Sequence, residues 1–452
     1  MSRKHEIKIA YIGGGSRGWA QMLMADLALS PDLTGELALY DIDRAAARRN
    51  EKIAEAVFSH PQARTRFRTR AVPSAAAALK NADFVVLSIE PGPTTMRYAD
   101  LVIPARHGII PPVGDSTGPG GIVRALRAIP VYADYARQIM SVCPRAWVIN
   151  YTNPMTLCTA ALYAAEPRIK AFGCCHEVFG IQWKLAGLVE KWFGVPRPAR
   201  HEIELDIAGV NHFTLATAAA WRGRDLMPRL KEMIRARGFF ADRTAAARDR
   251  MRREDWFTSD GLIAYDFLAR FGVMGAAGDR HLSEFVPWYL RSEKDLNRWG
   301  VICTTYEYRL RRQRMRPKFD ATKGLHPSGE EGVRQMTALL GQERFVTNVN
   351  LPNRGQIRDL PDGAVVETYA EFMRDAVRPV VARPLPPAAN MLVRRVTDVQ
   401  AMTLRAALTR DRDLAFQALL NDPLVCIRTD RAWKMFGEML AHVKRELPGW
   451  RV

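Results

Sequence analysis

Lysine is scarce in this 452-residue chain, with 13 lysines against 53 arginines. A formal charge of +18 would by itself suggest nucleic acid or a membrane surface as partner. The arginine excess is spread along the whole chain, however, and no recognition module accompanies it, so neither partner is expected. Cysteine is sparse too. The six, Cys143, Cys158, Cys174, Cys175, Cys303 and Cys426, stand in no disulfide-scaffold spacing, and a chain long enough for two or three domains needs no such staples. A reducing, cytoplasmic setting fits this usage. No stretch approaches the roughly 18 apolar residues of a membrane-crossing helix. The charged amino end, Met1 to Lys8, leads straight into a strand pattern without the apolar core of a signal peptide. There is no internal repeat. Hydrophobic residues at 48% and charged residues at 25% exclude disordered, collagen-like and mucin-like chains.

What is present is an alternation of short apolar strands and helices. Strands are expected at Lys8 to Ile12, Leu37 to Tyr40, near Ala71, Phe84 to Ile89, Trp147 to Ile149 and Ala171 to Cys174. Helices are expected at Trp19 to Leu29, Arg44 to Phe58, Ala75 to Lys80, from Pro119–Gly121 through Ile139, and at Met155 to Ala165. This implies a Rossmann-like, doubly wound parallel sheet in an α/β domain over 1–195. After Pro196 and Pro198 the texture changes. A strand at Ile203 to Ala208 precedes helical stretches at Met227 to Arg237, Ala245 to Arg253, Gly261 to Phe271 and a long helix around Trp288 to Arg316. A polar loop follows at Gly324 to Gly332, then a proline-rich turn at Arg383 to Pro387 before the last helices. A second, mainly helical α+β domain is expected over 196–452. The densest basic run, Arg309 to Lys318, reads as a solvated or subunit-contact helix, with an anionic-ligand surface as the alternative.

Gly13, Gly15 and Gly18 form GxGxxG directly after a strand and before a helix. In such a motif the first glycine permits the tight turn, the second lets backbone approach a pyrophosphate, and the third allows helix to pack on strand. Asp41 closes the second strand, where a carboxylate would bind ribose hydroxyls and favour NAD over NADP. Further constellations are Asp115 before Gly118, Gly120 and Gly121; Asn150 to Pro154; Cys174 to Val178; Asn211 with His212; and Gly278 to His281. All but the last two follow strands at the carboxyl edge, where open α/β sheets bind ligands. Cys175 and His212 suit two ligands of a transition metal such as manganese, iron, cobalt or nickel. Taken singly, each also reads as a buried thiol and a satisfied core histidine.

Together these motifs resemble the NAD-dependent family 4 glycoside hydrolases, distant relatives of lactate and malate dehydrogenases. The resemblance spans nearly the whole chain and rests on YIGGGSRGW with YDID, STGPGGIVRALRAIP, NYTNP, CCHEV, GVNH, GDRHLSEF, NLPNRGQIRDLP and LLNDPLV. It implies that Cys175 and His212 are ligands of a divalent metal, with Mn2+ expected, and that Asn153 binds sugar hydroxyls. It implies that Asp279 is the base that removes the C2 proton. Asp115 matches an acidic catalytic position found in part of the family.

The implied chemistry is redox elimination, an exception to the two-carboxylate glycosidase scheme: C3 is oxidised with NAD, C2 is deprotonated, the aglycone leaves, water adds and C3 is reduced again. The CHEV motif resembles that of α-galacturonidases, which makes His176 and Glu177 candidate substrate-binding residues. Arg280 is a candidate partner for a uronate carboxylate, the alternative being an ion pair with Glu284 four residues on. The expected substrate is a small uronic acid glycoside or oligogalacturonide, and relatives are homodimers or homotetramers. The competing readings are a family 4 α-galactosidase or α-glucosidase acting on neutral or 6-phospho sugars, and a net NAD-dependent dehydrogenase.

Overall fold

The computed structural model describes residues 5–237, 245–315 and 319–450. Six parallel strands build the first part: β1 (His5–Ile12), β2 (Leu33–Tyr40), β3 (Phe67–Ala71), β4 (Phe84–Leu87), β5 (Trp147–Asn150) and β6 (Lys170–Gly173). They lie in the order 3-2-1-4-5-6, the doubly wound arrangement expected from the strand and helix alternation. Val85, Val86 and Leu87 of β4 are fully buried, as a strand covered by helices on both faces requires.

The remaining strands are β7 (Ile203–Val210), β8 (Phe213–Trp221), β9 (Arg224–Asp225), β10 (Met274–Gly275), β11 (Phe345–Pro352), β12 (Val365–Met373) and β13 (Ala376–Pro379). They extend the same sheet rather than forming another: β6 pairs antiparallel with β11 through Gly173 and Asn350, and β12 pairs with β7 through Glu367 and Gly209. Strands β11, β12 and β13 stand where no strand is expected from the sequence, because β11 alternates poorly and is buried along most of its length. The long helix expected around Trp288 to Arg316 is two helices, Glu293–Trp299 and Tyr306–Arg314, and the first ends on Gly300 at φ 62°. Arg316 and Lys318 of the basic run lie outside the described residues. Among the described residues no helix is long and apolar enough to cross a membrane.

Two buried carboxylates fix the segment from Val113 to Gly118, which leads into the helix Gly118–Val142. Asp422, from LLNDPLV, accepts from Thr117 Oγ1 (2.9 Å), the Gly118 amide (2.8 Å) and the Leu424 amide (2.9 Å). It thereby caps a helix whose own N-cap residue offers no side-chain bond and ties the carboxyl-terminal helices to it. Glu284 accepts from the amides of Val113 (2.8 Å) and Gly114 (2.7 Å) and is 1% exposed.

Burial pushes the Glu284 carboxyl up to about 8, against the two amide bonds that favour its anion. A raised acid pKa means that the folded protein holds a proton which the unfolded chain releases near the ordinary carboxylate range. Stability contributed by this site therefore falls as pH rises from about 4.5 to about 8 and is level above that window. Glu284→Gln keeps the acceptor for both amides and removes the titration. The difference in Tm between Glu284→Gln and wild type is expected to grow steadily from pH 5 to pH 8, as followed by thermal scans; parallel profiles would show that this carboxyl is ionised in the fold.

Candidate active site

The glycine loop occupies the end of β1. Gly13 has φ 95°, and a Cβ there would lie 2.0 Å from the Ser88 carbonyl oxygen, so only glycine fits the turn. At Gly15 a Cβ would meet Ala46 and the Asp41 carboxylate, and the Gly15 amide donates to Asp41 Oδ2 at 2.8 Å. The loop and the ribose-binding candidate thus touch. Gly18 has no atom within 4 Å of a built Cβ, which corrects the expectation that it permits close packing; Gly14, whose Cβ would lie 2.7 Å from that of Leu39, has that part. Gly18 is the N-cap of the helix Trp19–Leu29 and gives no side-chain bond. The Gln21 amide donates to the Gly18 carbonyl at 3.0 Å, which leaves the Trp19 and Ala20 amides of the first turn for a phosphate. Asn50, fully buried, clamps the loop by donating to the carbonyls of Gly14 (2.7 Å) and Ser16 (2.8 Å). A dinucleotide fits this cradle.

Cys175 follows β6, and His212 lies in the two-residue turn between β7 and β8. His212 has φ 68°, a strained conformation for a non-glycine residue that marks functional positions. Ser116 Oγ sits 2.9 Å from its Nδ1, which leaves Nε2 for another partner. Burial, and then the neighbouring His281, hold its pKa well below the usual histidine value, so the ring is neutral as a metal ligand must be. Burial, reinforced by the Glu367 and Glu177 carboxylates, pushes the Cys175 thiol well up, while the Asn211 amide beside it opposes this. Glu177 therefore acts on both Cys175 and His212, and both polar side-chain atoms of Asn211 are buried without a protein partner. Among the described residues no group of three His, Cys, Asp or Glu converges as a metal cage. A thiol and a neutral imidazole fit a divalent ion that takes its other ligands from substrate and water.

His281, which carries no expectation from the sequence, completes this cluster. Its ring centroid is 3.8 Å from that of His212, and its Nε2 is 3.4 Å from Glu177 Oε1. Glu177 Oε2 accepts from the Gly278 amide at 2.9 Å. Burial would raise the Glu177 carboxyl, but His281, His212 and Arg280 outweigh it and hold the group well below its ordinary value. Glu177 is thus an ionised brace between CHEV and GDRH. His176 turns the other way: its Nδ1 meets Glu330 Oε1 at 2.8 Å, and its ring stacks on Trp19 at 5.7 Å, beside the glycine loop. Asn153 gives its carbonyl to Arg124 Nε (2.8 Å), while its Oδ1 is buried without a protein partner and suits a sugar hydroxyl.

Both catalytic carboxylates expected from the sequence are engaged in structural contacts. Asp279, 1% exposed, accepts the amides of Gly261 (2.7 Å), Leu262 (3.0 Å), Ile263 (3.0 Å) and Ala264 (3.4 Å). Its two oxygens close the amino end of the helix Leu262–Phe271, so the carboxylate expected as the base also serves as a helix cap. Burial raises its pKa, opposed by Lys184 and by these donors. Asp115 pairs with Arg97 and, at 3.1 Å, with Arg309. Burial is outweighed by Arg309, Arg97 and Arg124, which hold its carboxyl well below the usual range, so it stands as an ionised, paired group rather than a proton donor. Arg309 therefore points toward Asp115, which corrects the reading of a solvated or subunit-contact helix for this one residue, while Arg311, Arg312 and Arg314 are exposed. Glu90 pairs with Arg97 and Arg124, and Asp100 receives Arg127 through two bonds of 3.0 and 2.8 Å.

Arg280 donates to the Trp256 carbonyl (3.2 Å) and lies 4.3 Å over the Phe257 ring. The alternative pairing with Glu284 is not formed, because Glu284 is taken by the amides of Val113 and Gly114. Arg280 instead faces the cluster, where it acts on Glu177, His212 and His176. Capping by Asp279 and bracing by Glu177 have no local sequence signature, since their partners are 15 to 101 residues away.

Residues 8–191 match the Family 4 glycosyl hydrolase family, and residues 207–425 match the Family 4 glycosyl hydrolase C-terminal domain. The chain is 46% identical to the alpha-galacturonidase of Thermoanaerobacterium saccharolyticum, over 99% of this chain and 98% of that one. The crystal structure of lplD from Bacillus subtilis superposes with a TM-score of 0.88 at 42% identity, covering 96% of this chain and 100% of that one. The structure of a 6-phospho-alpha-glucosidase from gut microorganisms in complex with NAD and Mn2+ shares the fold, with a TM-score of 0.76 at 21% identity over 99% of this chain and 100% of that one. The chain belongs to family 4 of the glycosyl hydrolases.

Proposed function

We propose that this protein hydrolyses α-galacturonides by redox elimination, with NAD and a divalent cation, Mn2+ being the expected ion. The observation that carries the substrate is Arg280. It is a half-buried guanidinium that acts on Glu177, His212 and His176, and among the described residues it has no carboxylate within ion-pair distance. A buried cation is stable when a ligand completes it, and a uronate carboxylate does so with charge-assisted bonds. The name alpha-galacturonidase, borne by relatives 40–46% identical along their full length, supports the same substrate.

When bound, the dinucleotide supplies reversible hydride exchange with the sugar and the cation supplies a Lewis acid. This chain's residues do the rest. Gly13, Gly15 and the open helix start at Gly18 receive the pyrophosphate, and Asp41 the ribose. Cys175 and His212 hold the cation, with Ser116 fixing the imidazole. Asn153 Oδ1 accepts a sugar hydroxyl, and Arg280 binds the carboxylate. His176, held by Glu330 and Trp19, forms the wall between the glycine loop and the cation ligands. Asp279 and Glu177 set the GDRH turn so that Arg280 faces the sugar.

Turnover of 4-nitrophenyl α-galacturonide should require added NAD yet leave no stoichiometric NADH, and solvent deuterium should appear at C2 of the product. Steady NADH accumulation would favour a dehydrogenase instead. Chelation should abolish the rate and Mn2+ restore it, while Cys175→Ser and His212→Ala should lose Mn2+ binding measured by calorimetry; wild-type Mn2+ affinity in both variants would remove the ligand assignment.

Arg280→Ala should lower kcat/KM on the galacturonide by about ten- to hundredfold, the range for a hydrogen bond to a charged group, and should spare any neutral α-galactoside activity. An equal loss on both substrates would defeat the uronate role. Asp279→Asn keeps one acceptor and puts an NH2 group against the helix amides, so its Tm should fall by the equivalent of about 0.5–2 kcal/mol, as for a lost cap. A rate loss of about 10²–10⁴-fold at unchanged Tm would restore Asp279 as the base.

A further inference from the structure

The chemistry above gives His281 no task, although its position is tightly determined. It belongs to the four-residue helix Asp279–Leu282. One end of that helix is held by Asp279 on the amides of Gly261 to Ala264, and the segment just past the other end by Glu284 on the amides of Val113 and Gly114. The Ser283 hydroxyl donates to the Arg280 carbonyl at 2.9 Å and closes the turn. His281 is 4% exposed and lies against His212, with ring centroids 3.8 Å apart and planes at 34°.

The two nitrogens of His281 are unequal. Nε2 stands 3.4 Å from Glu177 Oε1, and the ionised Glu177 carboxylate can only accept. This makes Nε2 the N–H and leaves the lone pair on Nδ1. Nδ1 is buried without a protein partner. A polar atom left open in a ring that is otherwise braced on every side marks a place for a ligand group.

The order of atoms in a hexuronate says which group that is. The cation held by Cys175 and His212 serves the reacting carbons C2 and C3, and Arg280 takes the carboxylate carried on C5. C4 lies between C3 and C5. Between His212 and Arg280 lies His281, stacked on the first and next in the chain to the second. The C4 hydroxyl is also the one group in which an α-galacturonide, where it is axial, differs from an α-glucuronide, where it is equatorial.

We propose that His281 Nδ1 accepts a hydrogen bond from the axial C4 hydroxyl and thereby sets the choice of galacturonide over its C4 epimer. The inference rests on the readings of Arg280 as the carboxylate partner and of His212 as a cation ligand. An equatorial hydroxyl leaves Nδ1 unsatisfied, so the epimer is refused through a buried atom without a partner rather than through lack of space.

The test gives the holoenzyme, loaded with NAD and Mn2+, three substrates: 4-nitrophenyl α-galacturonide, its 4-deoxy analogue and 4-nitrophenyl α-glucuronide. Wild type should prefer the galacturonide to both others in kcat/KM. In His281→Gln the side-chain amide can still reach Glu177 but offers nothing in the place of Nδ1. This variant should shrink the preference over the glucuronide by about tenfold or more, and should lose far less on the 4-deoxy sugar than on the galacturonide. Its Mn2+ affinity by calorimetry should equal that of wild type. If wild type shows no loss on the 4-deoxy sugar, or His281→Gln keeps the preference or falls equally on both sugars, the C4 role is refuted while galacturonide hydrolysis stands. Lost Mn2+ binding in His281→Gln would refute it too, by making His281 part of the cation site. If no uronide is turned over at all, the substrate reading falls and the C4 role with it.

Discussion

Glu367 is buried to 1% exposure in the middle of the sheet, and its carboxylate ties together strands β11 and β8 next to the β6–β11 pairing where the parallel and antiparallel parts join. One oxygen accepts from Asn348 (2.9 Å) and Asn350 (3.2 Å) on β11, and the other from Thr214 on β8. Asn348 also donates to the Cys175 carbonyl at 2.9 Å. The two candidate cation ligands come from opposite sides of this junction, Cys175 after β6 and His212 after β7. Their relative placement therefore depends on a polar hub in which three donors from two strands satisfy one buried carboxylate. Such networks are specific because an unsatisfied member is costly in low dielectric. Burial raises the Glu367 pKa against these donors.

The same economy governs the loops around the site. Each carboxylate at the rim is spent on backbone or on arginine: Asp279 on a helix start, Asp422 on another, Glu284 on two loop amides, Asp115 and Glu90 on guanidiniums. Helix amino ends favour anions, and a carboxylate reaching across from a distant segment fixes both elements at once. GDRHLSEF illustrates this within one short stretch. Asp279 caps one helix, His281 meets Glu177, and Glu284 holds the loop that presents Ser116 to His212. Arg280 in that stretch has no carboxylate partner, and His281 Nδ1 is buried without a protein partner.

The parallel half was legible in the sequence because its signals are local. Apolar runs end in glycines, a helix follows at once, and an acid closes the second strand, so Gly13, Gly15 and Asp41 could be placed together before any coordinates. Cys175 and His212 were legible as residue types at strand ends, although nothing in their spacing required them to share Glu177 as a neighbour. The helix cap made by Asp279 and the arginine pairs of Asp115 were not legible. A carboxylate before a helix-like stretch has the same appearance whether it faces substrate or caps a helix folded back from 18 residues away. Strand β11 was hidden for another reason: buried on both faces, it lacks the alternation that marks a half-exposed strand, and its asparagines are polar residues committed to Glu367.

Charge imbalance is what distinguishes the site from its surroundings. Arg97, Arg124, Arg127 and Arg309 are each opposed by Glu90, Asp100 or Asp115, and such buried pairs roughly offset their own desolvation. They contribute position more than affinity. Arg280 lacks that compensation among the described residues and rests on an aromatic ring that holds a guanidinium without neutralising it. A ligand with a carboxylate gains there what the paired arginines have already gained within the fold. A neutral ligand gains nothing there and leaves Arg280 partly desolvated. A guanidinium left unpaired favours an anionic ligand over a neutral one, and the scarcity of lysine fits this arrangement, because a planar guanidinium can stack and pair at once.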